Sequence, residues 1–223
     1  MLAVVKVQVT IWEIAVDARA GLRGFEVLTS LERERVMRYQ QREDQLRKIV
    51  SRGALRCILG RSLGMDPALV PLETGPQGKP LIRESRFQFS CSHAGEVVWI
   101  ALALDCPVGV DVERIDRRVD FEGVMRQFAS REESAAFEGL REDRRTDGFF
   151  TWWTRKEALL KGEGCGLLGD GRSSTVWKGS TDFLRCGNWT IQTLGAEPQY
   201  KAGLAVEAED CVVERRTFSL EAL

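Results

Sequence analysis

Two short runs of this chain carry residue types that, brought together, could handle a charged phosphate. In GVDVE (Gly109 to Glu113) two carboxylates, Asp111 and Glu113, stand two residues apart. On a β-strand that spacing puts both on one face, about 7 Å apart, and sends Val110 and Val112 to the other face, toward a core. Such acids repel unless water or a cation lies between them. Alone, the pattern is weak and better fits an ordinary solvated strand edge. In WTRKEALLKGEGCGL (Trp153 to Leu167), Glu157 and Lys161 are four apart on an expected helix. Such a pair is commonly an ion pair worth about 0.2–0.5 kcal/mol. The glycines that follow favour another use, because they let backbone approach a ligand closely. A lysine reaching a phosphate and a glutamate reaching a metal suit such a place.

Ser92 and His93 are neighbours, and His93 is the only histidine. Adjacent strand residues face opposite ways, so they do not form a Ser–His nucleophilic dyad. By parity His93 shares a side with Phe87, Phe89 and Cys91. It is either a satisfied, half-buried core residue or a phosphate donor at the strand end. Gly78, Lys79 and Pro80 read as a turn.

The elements that must position these residues are legible as patterns. A strand is expected from Val4 to Val16, followed by a Gly-containing loop. Thr29 and Glu32 have capping-box spacing, which starts a helix near Ser30. Leu46, Ile49, Val50, Gly53, Cys57 and Ile58 recur at helical spacing up to Leu59. The segment from Pro67 to Pro80 is rich in turn residues. Phe87 to Cys91 alternates, VVWIALAL (Val97 to Leu104) is an apolar strand, and with VGVDVE the three read as an antiparallel meander. Helical spacing returns over Phe121 to Phe128, Ser130 to Leu140 (Ser130 and Glu133 forming a second capping box) and Thr146 to Lys161. A glycine-rich loop spans Gly162 to Gly171, and strands are expected at Trp189 to Leu194 and Gly203 to Val206. Strand, helices and strands thus occur twice, which predicts an α+β fold of two halves, 1–108 and 109–223.

Composition narrows the function. The chain has 223 residues, 43% hydrophobic and 29% charged, enough for a substantial core. A net charge of −1 marks no overall nucleic-acid field. Between Ser30 and Ser62, however, eight Arg and one Lys stand against four acids, which could seat an anion or line a solvated helix face. The first residues read as a strand rather than a signal peptide, and no apolar run approaches the roughly 18 residues of a membrane span. Six cysteines without a C-x-x-C pair, and a single histidine, argue against structural zinc and for reduced thiols in a cytoplasmic protein.

Taken in order, GKP (Gly78 to Pro80), SH (Ser92, His93), GVDVE, FASREE (Phe128 to Glu133) and WTRKEALLKGEGCGL resemble the signature of the larger, Sfp-type 4′-phosphopantetheinyl transferases. RYQQREDQLRKIVSRGALR (Arg38 to Arg56) is similar to that family's basic first-half helices. The resemblance implies two similar α+β halves related by a pseudo-twofold, with coenzyme A in the cleft between them. It implies Mg²⁺-dependent transfer of phosphopantetheine from coenzyme A to a serine of an apo acyl or peptidyl carrier protein, releasing adenosine 3′,5′-bisphosphate. Asp111, Glu113 and Glu157 would hold the Mg²⁺, and Lys161 and Arg35 would neutralise diphosphate oxygens. Gly78, Lys79 and Pro80 would lie along the adenine. His93, with Arg47 or Lys48, would take the 3′-phosphate, and Ser92 a neighbouring oxygen. Glu157 is the candidate base. The chain would work as a monomer, without nucleic acid or membrane, on fatty-acid, polyketide, nonribosomal-peptide or lysine-pathway carriers, received near Phe121 to Phe128.

One departure stands out. Glu32 occupies a position where relatives often carry a basic residue for the 3′-phosphate, while Lys48 stands where a small polar residue is common. The positive charge has moved along the wall, which leaves the separate roles of Arg35, Arg47 and Lys48 open. Two other readings compete with the transferase: an Mg²⁺ phosphodiesterase acting on coenzyme A-like nucleotides, and a non-catalytic RNA- or anion-binding module. The latter would need aromatic residues interleaved with the arginines for stacking, and only Tyr39 is there.

Overall fold

The computed structural model describes residues 6–75, 77–116, 118–166, 171–179 and 183–222. Val4 and Val5 of the expected first strand, Pro76 in the turn-rich segment, and residues 167–170 of the glycine-rich loop, Leu167 of the long motif among them, lie outside the described residues.

Alternation along the strands explains how the core is divided. In β1 (Val7–Ala15), Val9 and Ile11 face one apolar cluster while Ile14 faces another. The apolar run β5 (Val97–Leu104) is sandwiched between the same two: Trp99, Ala101 and Ala103 point one way, Val98 and Ile100 the other. A strand buried on both faces has no use for polar residues, hence its composition. With β4 (Phe87–Ala94) and the C-terminal β10 (Cys211–Thr217) these strands form a sheet of order β10-β1-β5-β4. β10 runs parallel to β1 and the other pairs are antiparallel. A second, antiparallel sheet has the order β6-β9-β8-β7, from β6 (Val108–Arg114), β7 (Phe183–Cys186), β8 (Trp189–Leu194) and β9 (Tyr200–Val206). A short ladder of β2 (Glu73–Thr74) and β3 (Pro80–Leu81) frames the GKP turn.

The inward faces of both sheets share one core, with Val110, Val112, Leu204 and Val206 against Val9, Ile11 and Ala101. Helices cover the outer faces. In the first half these are α1 (Ala18–Glu26), α2 (Ser30–Met37) and α3 (Arg42–Leu63); in the second, α4 (Phe121–Phe128), α5 (Arg131–Glu138) and α6 (Glu142–Glu163). No helix among the described residues is long and apolar enough to cross a membrane.

The two halves repeat one plan. Strand, three helices and an antiparallel hairpin run β1-α1-α2-α3-β4-β5 and then β6-α4-α5-α6-β8-β9, and each first strand pairs with the last strand of its half. α3 and α6 each have 22 residues and end on a left-handed glycine, Gly64 or Gly164. The helix before each opens with a full capping box, Thr29/Glu32 or Ser130/Glu133. The capping glutamate of each box grips a buried cation on the long helix: Glu32 takes Arg56 at 2.7 Å, and Glu133 takes Lys156 at 2.8 Å. Each cation also donates to carbonyls just beyond its helix, Arg56 to those of Pro67, Ala68 and Val70, Lys156 to those of Gly171 and Ser174. The α+β expectation and both capping boxes stand. The last strand, β10, crosses back to the first sheet, so the halves are interleaved at their ends.

Two expectations are corrected. The Gly-containing loop after β1 is α1, capped by Asp17, whose carboxylate accepts the Ala20 N–H at 2.8 Å. Its glycines serve a close helix crossing: a Cβ on Gly53 of α3 would meet the Gly24 Cα at 2.4 Å. The meander breaks before β6. Both edges of β5 are already taken by β1 and β4, so β6 pairs with β9 instead. It meets β4 through side chains, the Val110 N–H donating to Ser90 Oγ at 3.1 Å.

Gly109 in β6 has a specific cause. A Cβ there would lie 1.9 Å from the Ala158 carbonyl oxygen and 2.5 Å from the Gly162 nitrogen, so only glycine lets α6 rest on the strand. Gly109→Ala should therefore displace α6 and cost roughly 1–3 kcal/mol, seen as a lower urea midpoint; an unchanged midpoint would contradict the packing. Glu32 gives a pH-resolved test. Burial alone would raise its pKa, but hydrogen bonds from Arg56 and the Thr29 N–H, with the charges of Arg52 and Arg56, hold it below the ordinary 4.5. Its stabilisation is then present above that value and lost as pH falls through the lower folded one. Glu32→Gln, which leaves Arg56 buried without its counter-charge, should cost about 3–5 kcal/mol at pH 7. The gap to the parent chain should narrow as the acid is titrated; a gap constant down to strongly acid pH would refute the ion-pair account.

Candidate active site

The seam between the sheets opens into a cleft of about 620 Å³. α3 and β4 supply one wall, β6 and α6 the other, and the β2–β3 turn the rim. On β6, Val110 and Val112 are buried in the core, as strand parity requires, while Asp111 and Glu113 face the cleft. Because α6 lies against Gly109, its residues Glu157 and Lys161, one turn apart, face the same space. Asp111 is no solvated strand acid: it is 2% exposed. Its Oδ1 accepts from Ser92 Oγ at 2.8 Å and from Lys161 Nζ at 2.5 Å, and Lys161 also reaches Ser92 Oγ at 3.0 Å. These bonds tie β4, β6 and α6 together across the seam. Asp111 Oδ2 is buried and, among the described residues, has no hydrogen-bond partner.

This corner carries more negative charge than its partners balance. Burial and the neighbouring Asp111 and Glu157 push the Glu113 carboxyl up to about 7, against the pull of Lys161 and a Trp153 hydrogen bond. Burial, with Asp111 adding to it, pushes Glu157 up to about 7 despite Lys161. For Lys161 the burial cost is outweighed by Asp111 and the two glutamates, which hold its ammonium above the usual lysine range. Among the described residues no three His, Cys, Asp or Glu side chains form a ready-made metal cluster. In this acid corner Lys161 is seated on one of the carboxylates.

The opposite wall is cationic. Arg35, Lys48, Lys79 and His93 all line the cleft, as do Gly78, Pro80 and Ser92. Arg35 Nη1 lies 3.5 Å from Thr74 Oγ1 beside the rim. Lys79 Nζ donates to the Gly162 carbonyl at 3.1 Å, pinning the GKP turn to the end of α6. Burial lowers the pKa of Lys79, and burial with the charge of Lys161 lowers that of Lys48. His93 is part-buried. Burial, then Lys48, brings its pKa down to about 4, so at neutral pH it is an uncharged N–H donor. Such a cleft, acidic at one corner and basic along the facing wall, suits a ligand with several phosphate oxygens and an accompanying cation.

Eleven of the twelve residues singled out from sequence line this one cleft. Arg47 does not. It lies one helix position away, paired with Asp44 at 2.6 Å and donating to the Gly95 carbonyl at 3.3 Å. Several lining residues had no individual signal: Arg52, Tyr39, Ser51, Thr74, Gln77 and Cys91. Arg52 and Ser51 could have been found by projecting the basic segment onto a helix, because Lys48, Ser51, Arg52 and Leu55 repeat at three and four residues. Glu32 turns away from a solitary role and grips Arg52 and Arg56.

Comparison with known proteins agrees with the motif order. Residues 20–104 match the N-terminal region of 4′-phosphopantetheinyl transferases, and residues 107–210 match the 4′-phosphopantetheinyl transferase superfamily. A Synechocystis relative is 34% identical over 166 residues, which span 73% of this chain and 67% of that protein. The 4′-phosphopantetheinyl transferase HetI of a Nostoc species is 31% identical over 72% of this chain and 70% of its own length. The 4′-phosphopantetheinyl transferase Sfp of Bacillus subtilis is 30% identical over 65% of this chain and 64% of its own length. The chain belongs to the Sfp-type 4′-phosphopantetheinyl transferase family and is an enzyme of that class.

Proposed function

We propose that the cleft binds coenzyme A and that the enzyme transfers its 4′-phosphopantetheine, with Mg²⁺, to a serine hydroxyl of an apo acyl or peptidyl carrier protein. The observation that carries this reading is the buried, unpartnered Oδ2 of Asp111, set among raised carboxylates and opposite a cationic wall. An orphaned carboxylate oxygen is costly unless something fills the gap. The donor set is all carboxylate oxygen, which fits a hard divalent cation. Asp111, Glu113 and Glu157 would hold it. When bound, Mg²⁺ would offset the negative charge that gathers on the diphosphate during transfer.

The chain's own residues supply the rest. Lys161 is poised between Asp111 and the cleft, and it exchanges the carboxylate for diphosphate oxygens, joined by Arg35. Ser92 offers its hydroxyl to a phosphate oxygen. Gly78, Lys79 and Pro80, held at the end of α6, lie along the adenine, while Lys48 and the neutral His93 face the 3′-phosphate. Arg47 adds charge from behind rather than contact. Glu157 accepts the serine proton. The serine oxygen then bonds to phosphorus as the bond to the departing adenosine 3′,5′-bisphosphate breaks. Since both walls come from one chain, the site is complete in a monomer. All six cysteines are unpaired thiols, in keeping with a cytoplasmic setting.

Mass spectrometry of an apo carrier protein incubated with coenzyme A, Mg²⁺ and the enzyme tests the reading. The parent chain should add phosphopantetheine. Asp111→Ala and Glu157→Ala should each lower the rate at least roughly hundredfold; Glu157→Ala should keep a thermal midpoint close to the parent, whereas Asp111→Ala, which releases Ser92 and Lys161 at the seam, should lower it. Full activity in both variants would refute the assignment. Hydrolysis of coenzyme A without any carrier would favour a phosphodiesterase instead.

A further inference from the structure

We infer that Lys161 closes the acid corner to divalent cations in the free enzyme, so that a metal ion enters only when a phosphate ligand draws the ammonium away. The inference deepens the coenzyme A reading of the cleft and rests on it. Asp111 is the one fully buried acid of the corner, whereas Glu113 and Glu157 are half-buried. Its Oδ1 is already engaged twice, with Ser92 Oγ at 2.8 Å and Lys161 Nζ at 2.5 Å. The carboxylate therefore carries a full counter-charge before any ligand arrives. A divalent ion bound through Oδ2 would face that ammonium across a single carboxyl group. Little water lies between to screen the two, so they repel strongly. Among the described residues, the acids of the corner are not arranged as a ready cation cage.

The same geometry lets Lys161 leave. Its side chain is 28% exposed against 2% for Asp111, which puts the ammonium on the cleft side of the carboxylate. Of its three N–H donors, two have partners among the described residues, Asp111 and Ser92. Lys161 stands in the last turn of α6, and its flexible four-carbon stem lets the head swing while the helix stays packed on Gly109.

What can draw the ammonium lies across the cleft. Arg35, Lys48 and Lys79 line the facing wall, so a polyanion seated there brings negative oxygens beside Lys161. A diphosphate is the class that fits, because it offers one oxygen to the lysine and another to an incoming cation. Once Lys161 has moved, Asp111 stands bare and its charge favours the metal. Metal and phosphate ligand then enter as a coupled pair, each raising the affinity for the other by the same factor.

Titration of the full-length protein with Mn²⁺, followed by electron paramagnetic resonance of the free ion, tests this. Without coenzyme A, Lys161→Met should bind Mn²⁺ roughly tenfold or more tighter than the parent, while Lys161→Arg, which keeps the charge, should match the parent. Saturating coenzyme A should tighten Mn²⁺ binding more in the parent than in Lys161→Met, because only the parent has a closed corner to open. Thermal midpoints report folding, and Lys161→Gln decides if Lys161→Met is unstable. Equal Mn²⁺ affinity in the free parent and both uncharged variants would overturn the closure, as would tight binding by Lys161→Arg or an equal gain from coenzyme A in parent and Lys161→Met. A parent chain that fails to bind coenzyme A, with or without Mn²⁺, would instead overturn the underlying reading of the cleft.

Discussion

The backbone of α6 lies directly on β6 and β9, closer than any side chain would permit. A Cβ on Gly109 would fall 1.9 Å from the Ala158 carbonyl, and one on Gly203 would fall 2.5 Å from that of Thr154. Dispersion contacts at that range are at their densest, and they fix the rotation of the helix about its own axis. With that rotation set, Glu157 and Lys161 must stand over Asp111 and Glu113. The ion pair from Lys161 to Asp111, shared with Ser92, then fastens the second half to β4 of the first. The site and the seam are one structure.

Around that seam the chain uses one architectural plan twice and departs from it where chemistry is needed. In each half a capping-box glutamate both finishes a short helix and neutralises a buried cation, and the cation in turn gathers the carbonyls that follow the long helix. Those features keep the two halves alike. What differs is the side each long helix turns to the cleft. α3 offers Lys48 and Arg52, while α6 offers Glu157 and Lys161. Two similar scaffolds facing each other with unlike charges produce a cleft with an acidic corner and a basic wall.

What could be read in the residues was what depends on neighbours in sequence. The capping boxes at Thr29 and Ser130, the parity of Val110 and Val112 against Asp111 and Glu113, and the helical spacing of Glu157 and Lys161 are all local, and all appear in the structure. The family's motif order then gathered residues scattered from Arg35 to Lys161 into one site. What escaped depended on partners distant in sequence. α1 was hidden because its glycines look like breakers until α3 is seen crossing them. β6 looked like the third strand of a meander because nothing local reveals that β1 already holds the far edge of β5. Asp111 looked solvated because its burial comes from Ser92 and Lys161, and Arg47 looked like a cleft residue because nothing local reveals that it reaches the Gly95 carbonyl instead.

The account stands or falls on what fills the space beside Asp111 Oδ2. A crystal structure of the enzyme with coenzyme A and Mn²⁺, an anomalously scattering substitute for Mg²⁺, would locate the cation directly. The account predicts an anomalous peak bound by Asp111, Glu113 and Glu157 against the coenzyme's diphosphate, with Lys161 drawn off Asp111 onto a phosphate oxygen. Coenzyme A seated elsewhere, or a cleft in which Lys161 still holds Asp111 and no peak lies beside it, would contradict it.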